Sequence, residues 1–267
     1  MLDDSRLRVE LNNAILWIRD YVKNSGCRGV VLGLSGGKDS AVVLAMAVKA
    51  LGKENVIAVS MPCHSLSADY DDAKAVAEKY GVKFITINLT KAYDEFETSI
   101  NSIINNIGIN ELSYEAKINA KPRLRMTTLY MLAQSLGYLV IGTGNLCEAM
   151  VGYTTKWGDS ASDFNPLANF TVSEVFRIGY FLGIPEQILR RAPSDGLGAE
   201  TDEEKLGVTY SQIEEMMETG NTDETAKEII LKKFFASRHK RTLVPTYNFE
   251  RINYLLNNRK EVDLWKI

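Results

Sequence analysis

The chain has 267 residues, with 31 Lys and Arg against 34 Asp and Glu, which gives a net charge of −3 at pH 7. This balance argues against a protein that binds nucleic acid by covering its phosphates with positive charge. No apolar run approaches the ~20 residues that cross a bilayer, and the N-terminal segment lacks the apolar stretch of a signal peptide. Three cysteines without a CxxC pair indicate free thiols in a reducing compartment. We expect a cytoplasmic enzyme that uses neither nucleic acid nor membranes, folded as a single domain over residues 1–267.

Strand and helix patterns alternate along the first 145 residues. Apolar residues from Leu7 to Val22 recur at helical spacing, and Gly26 ends that helix. Further along, the patterns predict strands at 29–35, 55–62, 82–89 and 138–145, a helix that closes at Gly52, and helices at 67–81, 91–107 and 121–137. Because the strands are continuous apolar runs separated by helices, we predict an α/β fold with a Rossmann-like parallel sheet and helices on both faces.

One segment stands out as a polar connection. Residues 194–207 contain three Gly and five acidic residues and show no apolar periodicity. Such a segment is either a solvated connection or a mobile flap over a site, and composition does not choose between them.

A glycine-rich segment follows the first predicted strand and leads directly into a helix. It reads Gly33-Leu34-Ser35-Gly36-Gly37-Lys38-Asp39-Ser40. Adjacent glycines let successive amide N–H groups point into one concavity, and the following helix adds partial positive charge at its N-terminus. The segment therefore predicts a binding site for a phosphate or pyrophosphate.

The sequence excludes two familiar phosphate-binding loops, the Walker A loop at this segment and a GxGxxG loop further along the chain. Leu32 stands where a Walker A loop needs glycine, and Asp39 stands where it needs Ser or Thr. The pair Gly142 and Gly144 begins a GxGxxG pattern, but Cys147 occupies its last position. The remaining alternative is that the two glycines form only a tight strand-to-helix turn.

The SGGKDS segment resembles the loop of the PP-loop ATP pyrophosphatases, whose members cleave ATP between the α and β phosphates. The resemblance extends to the ammonia-dependent NAD synthetase family over about residues 5–250. It is carried by LGLSGGKDSA (32–41), MPCHSLSADYDDA (61–73), KPRLRM (121–126), IGTGNLCEAMVGYTTKWGDSASDFNPL (141–167), RRAPSDGL (190–197), DEEKLGVTYSQIE (202–214) and HKR (239–241). The resemblance implies an adenine nucleotide alpha hydrolase-like fold.

The activity implied by this resemblance is the last step of NAD biosynthesis. Such ligases join ammonia to nicotinic acid adenine dinucleotide (deamido-NAD) through an adenylated intermediate. They consume ATP with Mg²⁺ and release AMP, pyrophosphate and NAD. A carboxylate is a poor acyl electrophile, so adenylation supplies the leaving group that ammonia displaces.

The resemblance also implies residue roles around ATP and its metal ion. It places Mg²⁺ on Asp39 and Glu148, whose hard oxygen ligands suit that ion. It places ATP on residues 33–40, Thr143 and Ser194. The alternatives are that Asp39 is an acid favoured by the helix dipole and that Thr143 is a strand-end turn residue.

Further residues correspond to substrate contacts and to catalysis in that family. The implied deamido-NAD contacts are Arg123, Lys156, Asp163, His239 and Lys240. Asp159 matches the carboxylate that holds ammonia or takes its proton, which is work that a carboxylate near the acyl carbon can do. The alternative for Asp159 is an N-cap or turn aspartate after Gly158.

One position departs from the family pattern. Members commonly carry a lysine on ATP phosphate where this chain has Val172. Losing a charge-assisted hydrogen bond costs roughly 1.5–3 kcal/mol, so a replacement is expected. We hypothesise that Lys38 reaches toward the phosphates instead.

The nitrogen source and the oligomeric state are expectations from the same resemblance. Nothing in the 267 residues resembles a glutaminase domain, so free ammonia is the expected nitrogen source. Such enzymes are homodimers with deamido-NAD at the subunit interface. The predicted helices at 91–107 and 121–137 are rich in Ile, Leu and Met, which suit either a core or an interface.

Two other functions compete with the ligase. One is another PP-loop adenylating reaction such as tRNA thiolation, although extra cysteines and a basic RNA surface are missing. The other is a nucleotide-binding homologue with impaired turnover, for which Val172 is the only support.

Overall fold

The computed structural model describes residues 2–65, 67–191 and 201–247, and its centre is a four-stranded parallel sheet. The strands are β1 Val30–Gly33, β2 Val56–Ser60, β3 Lys83–Thr86 and β4 Leu139–Val140. Their order across the sheet is β3-β2-β1-β4. Val30 of β1 is in register with Val56 of β2 and with Leu139 of β4. The predicted parallel α/β fold is confirmed.

Helices follow and surround these strands. They are α1 Asp4–Asn24, α2 Lys38–Leu51, α3 Ser67–Tyr80, α4 Thr90–Asn101, α5 Tyr114–Leu136, α6 Leu146–Val151, α7 Val172–Leu182, α8 Glu186–Leu189, α9 Asp202–Leu206, α10 Tyr210–Thr219, α11 Glu224–Ala236 and α12 Arg238–Arg241. Short 3₁₀ turns occur at Lys53–Asn55 and Ile104–Ile107. In the described part of the chain, no helix is both long and apolar enough to span a bilayer.

Both faces of the sheet are covered, as the continuous apolar strands require. Side chains of β1 alternate between the faces: Val30 and Leu32 join a core with α1, α2 and α7, whereas Val31 joins a second core with α5. A third apolar cluster lies outside the sheet and joins α6, α10 and α11 through Cys147, Ile213 and Ile230.

The strand order places a crevice at one edge of the sheet. The chain builds β2 and β3 on one side of β1 and then returns through α4 and α5 to add β4 on the other side. The loops that leave the carboxyl ends of β1 and β4 therefore diverge, which is where ligands bind in open α/β sheets.

Several predicted boundaries were wrong. The helix expected at 121–137 begins at Tyr114. The Ser113 side chain accepts a hydrogen bond from the Ala116 amide and so caps the helix. The first half of this helix is polar and shows no apolar periodicity, which is why the sequence pattern missed it. The helix expected at 91–107 ends at Asn101.

The polar segment expected at 194–207 is also partly helical. Its Asp202–Leu206 stretch forms α9, with a capping box between Thr201 and Glu204. Residues 194–200 lie outside the described part of the chain.

Candidate active site

A cavity of about 500 Å³ opens at the carboxyl ends of β1 and β4. It is bounded by the glycine-rich loop, the start of α2, the loop after β4 and the turn at 152–159. The residues predicted from the sequence that line it are Gly33, Leu34, Ser35, Gly37, Lys38, Asp39, Ser40, Thr143, Glu148, Asp159 and Lys240. One cavity thus joins the predicted phosphate loop to the predicted metal ligands and the predicted catalytic carboxylate.

The glycine-rich loop is held open by its own serines. Ser35 Oγ accepts a hydrogen bond from the Gly37 amide at 3.2 Å, and Ser40 Oγ donates to the Gly37 carbonyl at 3.0 Å. The two hydroxyls lie 3.1 Å apart. Gly37 is also the N-cap of α2, and residues 37–40 line the cavity, so the N-terminus of this helix favours an anion there.

Position 36 requires glycine, both because of its backbone conformation and because no space is left for a side chain. Its φ is +85°, and a Cβ at this position would lie 2.4 Å from the backbone oxygen of Asp69 at the start of α3. Any side chain would push α3 away from the loop. Gly36 therefore shapes the loop without lining the cavity.

Asp39 and Glu148 both line the cavity and lie close enough for their charges to interact. Asn145 Nδ2 donates to Asp39 Oδ1 at 3.3 Å, and Glu148 Oε2 accepts the Asn145 amide at 2.9 Å within the capping box of α6. Desolvation and the nearby Asp39 raise the pKa of Glu148 well above its usual value. A cation between the two carboxylates would relieve this repulsion.

The donor set fits Mg²⁺ rather than a metal held by protein alone. The described residues contain no group of three or more His, Cys, Asp or Glu side chains that could hold a metal. Magnesium typically takes one or two carboxylates and completes its shell with water and substrate phosphates. Asp39 and Glu148 can supply those two carboxylates.

Lys38 is buried beside this pair, with 8% of its surface exposed. Its Nζ lies 3.0 Å from Asp39 Oδ2. Burial lowers the pKa of Lys38, but Asp39 and other nearby carboxylates raise it more, so the net shift is upward. Lys38 is thus a fixed cation that lines the cavity.

Val172, where the family pattern has lysine, is the first residue of α7. Its side chain packs against the third apolar cluster and is not among the residues that line the cavity. The local structure therefore uses Val172 for packing.

A tight turn presents Asp159 to the cavity. Its Oδ1 accepts the Thr155 amide at 2.8 Å, and Ser160 Oγ donates to the Thr155 carbonyl at 2.9 Å. Trp157, inside this turn, has a left-handed backbone with φ of +65°. Desolvation of the carboxylate raises the pKa of Asp159. Asp159 thus holds the turn and also lines the cavity, and its catalytic role stays a prediction.

Lys240 approaches from α12 on the same side as Asp159. Its Nζ donates to the Gly152 carbonyl at 2.8 Å and to the Thr154 carbonyl at 2.6 Å. Desolvation lowers the pKa of Lys240, and the Asp159 carboxylate partly offsets that shift.

The structure does not bring every predicted contact into the cavity. Arg123 is exposed, and its Nε donates to the Lys156 carbonyl at 3.2 Å, so these two residues neighbour each other outside the cavity lining. His239 lies in a separate shallow depression on α12. Ser194 lies outside the described residues.

Asp163 has well-defined partners away from the cavity lining. Its Oδ2 accepts the Val140 amide at 2.7 Å, and its Oδ1 accepts the Tyr130 hydroxyl at 3.2 Å. Desolvation and this carboxylate raise the pKa of Tyr130 to about 12. In the isolated chain, Asp163 therefore ties α5 to β4.

Sequence reasoning missed other polar residues of the cavity. Asp202 of α9 is buried, and its carboxylate accepts the hydroxyls of Tyr153 at 3.1 Å and Tyr210 at 3.3 Å. Arg191 and Asp69 also line the cavity. Asp69 and Asp202 each lie in a short run of acidic residues, so no local sequence pattern distinguished them from their neighbours.

Comparison with known proteins defines the class to which this fold and site belong. The model of the NAD synthase family matches residues 10–251. An NH(3)-dependent NAD(+) synthetase of Finegoldia magna is 37% identical over 239 residues, covering 89% of this chain and 95% of the relative. The parallel sheet with its glycine-rich loop is the PP-loop α/β fold.

Solved structures agree with this assignment. The structure of NMN synthetase from Francisella tularensis has a TM-score of 0.85 and 38% identity, covering 91% of this chain and 99% of that one. The structure of the NH3-dependent NAD synthetase of Campylobacter jejuni has a TM-score of 0.74 and 27% identity, and the match covers 92% of this chain and 100% of that one. The chain belongs to the NAD synthase family.

Proposed function

We propose that this protein is an ammonia-dependent NAD synthetase that amidates deamido-NAD with ammonia, at the expense of ATP, and releases AMP, pyrophosphate and NAD. The observation that carries the proposal is the single cavity shared by the glycine-rich loop, the Asp39–Glu148 pair and Asp159. The names of its relatives support the same activity.

Adenylation comes first in the proposed reaction. A carboxylate oxygen of the nicotinate attacks the α-phosphorus of ATP and forms a new P–O bond. The bond between the α-phosphorus and the bridging oxygen breaks, and pyrophosphate leaves with the electron pair. The N-terminus of α2, which follows a loop braced by Ser35 and Ser40, favours the charge on the departing pyrophosphate.

Asp39 and Glu148 would hold Mg²⁺ at this end of the cavity. When bound, the ion neutralises phosphate charge. Lys38 adds a second positive charge close to Asp39.

Amide formation completes the reaction. The ammonia nitrogen attacks the acyl carbon, the C–O bond to AMP breaks, and AMP leaves with the electron pair. The extra proton on nitrogen moves to Asp159, whose raised pKa makes it a stronger base than an ordinary aspartate. We assign no glutaminase step, and free ammonia is the nitrogen source.

The remaining contacts of the family resemblance are part of this proposal. Thr143 and Ser194 are assigned to ATP, and Arg123, Lys156, Asp163, His239 and Lys240 to deamido-NAD. Of these seven, Thr143 and Lys240 line the cavity. Ser194 lies outside the described residues, and Arg123, Lys156, Asp163 and His239 require a substrate that extends beyond the cavity.

A homodimer would supply the surface for such an extended substrate. Large apolar side chains are exposed on and near α4 and α5, including Phe96 at 50%, Ile107 at 73% and Met131 at 68%. Burial of such side chains against a second subunit would remove their apolar surface from water. We propose that α4 and α5 form the dimer contact, and that the reaction takes place in the cytoplasm, where the three free cysteines remain reduced.

A second candidate function has one specific observation in its favour. The solved structure at TM-score 0.85 is that of an NMN synthetase. The corresponding reaction would amidate nicotinic acid mononucleotide and release NMN, with the same adenylation chemistry.

One assay separates the candidates. Purified protein is mixed with ATP, Mg²⁺ and ammonium and with either deamido-NAD or nicotinic acid mononucleotide, and kcat/KM is compared for the two. NAD is detected with a dehydrogenase, NMN by chromatography, and the nucleotide product is identified as AMP. A higher kcat/KM on the mononucleotide favours the second candidate. Turnover of neither substrate contradicts both candidates and favours another adenylating enzyme or an impaired homologue. Release of ADP instead of AMP contradicts adenylation itself.

A further inference from the structure

Arg191 lies at the rim of the cavity, between α8 and the beginning of the described C-terminal part. Its guanidinium forms ion pairs with two acids of α3: Nη1 lies 2.8 Å from Asp72 Oδ2, and Nη2 contacts Asp69 Oδ1. Both Arg191 and Asp69 line the cavity. The sequence resemblance assigned neither residue a role.

Asp69 also touches the glycine-rich loop directly. Its backbone oxygen packs so closely on Gly36 that a Cβ there would lie 2.4 Å away. The first turns of α3 therefore border the place where the phosphate chain of ATP would lie. Unpaired carboxylates on Asp69 and Asp72 would repel that polyanion at this short range.

From this juxtaposition we infer that Arg191 is a phosphate-side residue of the ATP site: it offsets part of the negative charge of Asp69 and Asp72 and presents a guanidinium to the β and γ phosphates. This inference rests on the proposed function. Arginine suits the role because its planar fork pairs with two oxygens at once and carries five N–H donors, of which two serve the pairs with α3 in the described part of the chain.

The chain offers a matched control for Arg191. The preceding residue, Arg190, is exposed and pairs with Glu186 one turn earlier at 2.6 Å, outside the cavity lining. Arg190→Gln removes the same charge from nearly the same place in sequence. It separates a local effect in the cavity from a general effect of net charge.

The test compares binding of Mg·ATP and AMP to the full-length protein by calorimetry. We expect Arg191→Gln to raise the Kd of Mg·ATP at least tenfold and to leave that of AMP within twofold, because AMP lacks the β and γ phosphates. Arg190→Gln leaves both Kd values unchanged. Arg191→Lys gives an intermediate Mg·ATP Kd, because a point charge does not span both carboxylates.

Three results would overturn the inference. These are an unchanged Mg·ATP Kd in Arg191→Gln, an equal loss of Mg·ATP and AMP binding, and wild-type binding in Arg191→Lys. The last variant keeps the test decisive if Arg191→Gln does not fold. If the wild-type protein binds no Mg·ATP, the proposed function fails, whereas Mg·ATP binding that ignores Arg191 removes this inference alone.

Discussion

Asn145 Nδ2 donates a hydrogen bond to Asp39 Oδ1 at 3.3 Å and so joins the first turn of α2 to the loop after β4. Asn145 simultaneously caps α6, and the Glu148 carboxylate in turn accepts a hydrogen bond from the Asn145 amide. One side chain therefore sets the distance between the two proposed Mg²⁺ ligands. The site depends on this bridge because its halves lie on opposite sides of the sheet crevice.

Replacement of Gly36 by alanine tests the packing of α3 on the glycine-rich loop. The change adds both left-handed strain, about 1–2 kcal/mol, and a clash with the Asp69 backbone. Gly26 has a similar φ of +75° but open space around it, so Gly26→Ala is the matched control. We expect urea unfolding to show a larger stability loss for Gly36→Ala, accompanied by weaker ATP binding. Equal losses in the two variants would refute the packing argument.

Asp159→Asn tests the proton acceptor while keeping the turn. The asparagine oxygen can still accept the Thr155 amide, so the fold is preserved. We expect kcat for amide formation to fall about 10²–10⁴-fold. Substrate-dependent exchange of pyrophosphate into ATP, which reports adenylation alone, remains within a few-fold of wild type. Loss of exchange in parallel with amide formation would place Asp159 in binding rather than proton transfer.

The pH dependence of the same step follows from the raised pKa of Asp159. The residue accepts a proton only as the carboxylate, so activity falls as pH drops through its pKa. That acidic limb lies at higher pH than an ordinary aspartate would give. A pH–rate profile at saturating ammonia measures the limb, which Asp159→Asn should abolish in the residual activity.

We expect Glu148→Gln to raise the stability of the metal-free protein and to weaken its affinity for Mg²⁺. The raised pKa means that ionised Glu148 opposes folding above its unfolded-state pKa, so neutral glutamine should raise Tm at pH 7 in the presence of EDTA. For a chain of this size, about 2–4 °C corresponds to 1 kcal/mol. In the same variant we expect the Mg²⁺ concentration for half-maximal activity to rise at least tenfold. A lower Tm with unchanged Mg²⁺ dependence would show that Glu148 serves only the helix cap.

Lys38→Ala tests whether this lysine supplies charge to the phosphates. Its position beside Asp39 and in the cavity lining predicts a higher KM for ATP, of about tenfold or more, from the loss of a charge-assisted hydrogen bond. Lys49→Ala, near the other end of α2, controls for helix effects. Steady-state kinetics that give wild-type KM and kcat for ATP would exclude Lys38 from this role.

Local patterns were sufficient where the relevant interactions are themselves local. Apolar runs and Gly36-Gly37 predicted the strands, the parallel sheet and the loop into α2, since strand burial and backbone turning depend on neighbouring residues. The start of α5 was missed because a capping serine, rather than an apolar period, begins that helix.

The sequence by itself determined the fold class, the glycine-rich loop and the family to which the chain belongs, because these follow from contiguous patterns. Only the tertiary structure decided which polar side chains pair at and around the cavity. Asp39 and Asn145 are 106 positions apart, and Arg191 and Asp72 are 119 positions apart. Such pairs form when helices pack onto a sheet whose strand order reverses. No periodicity along the chain indicates which residues so far apart in sequence will meet.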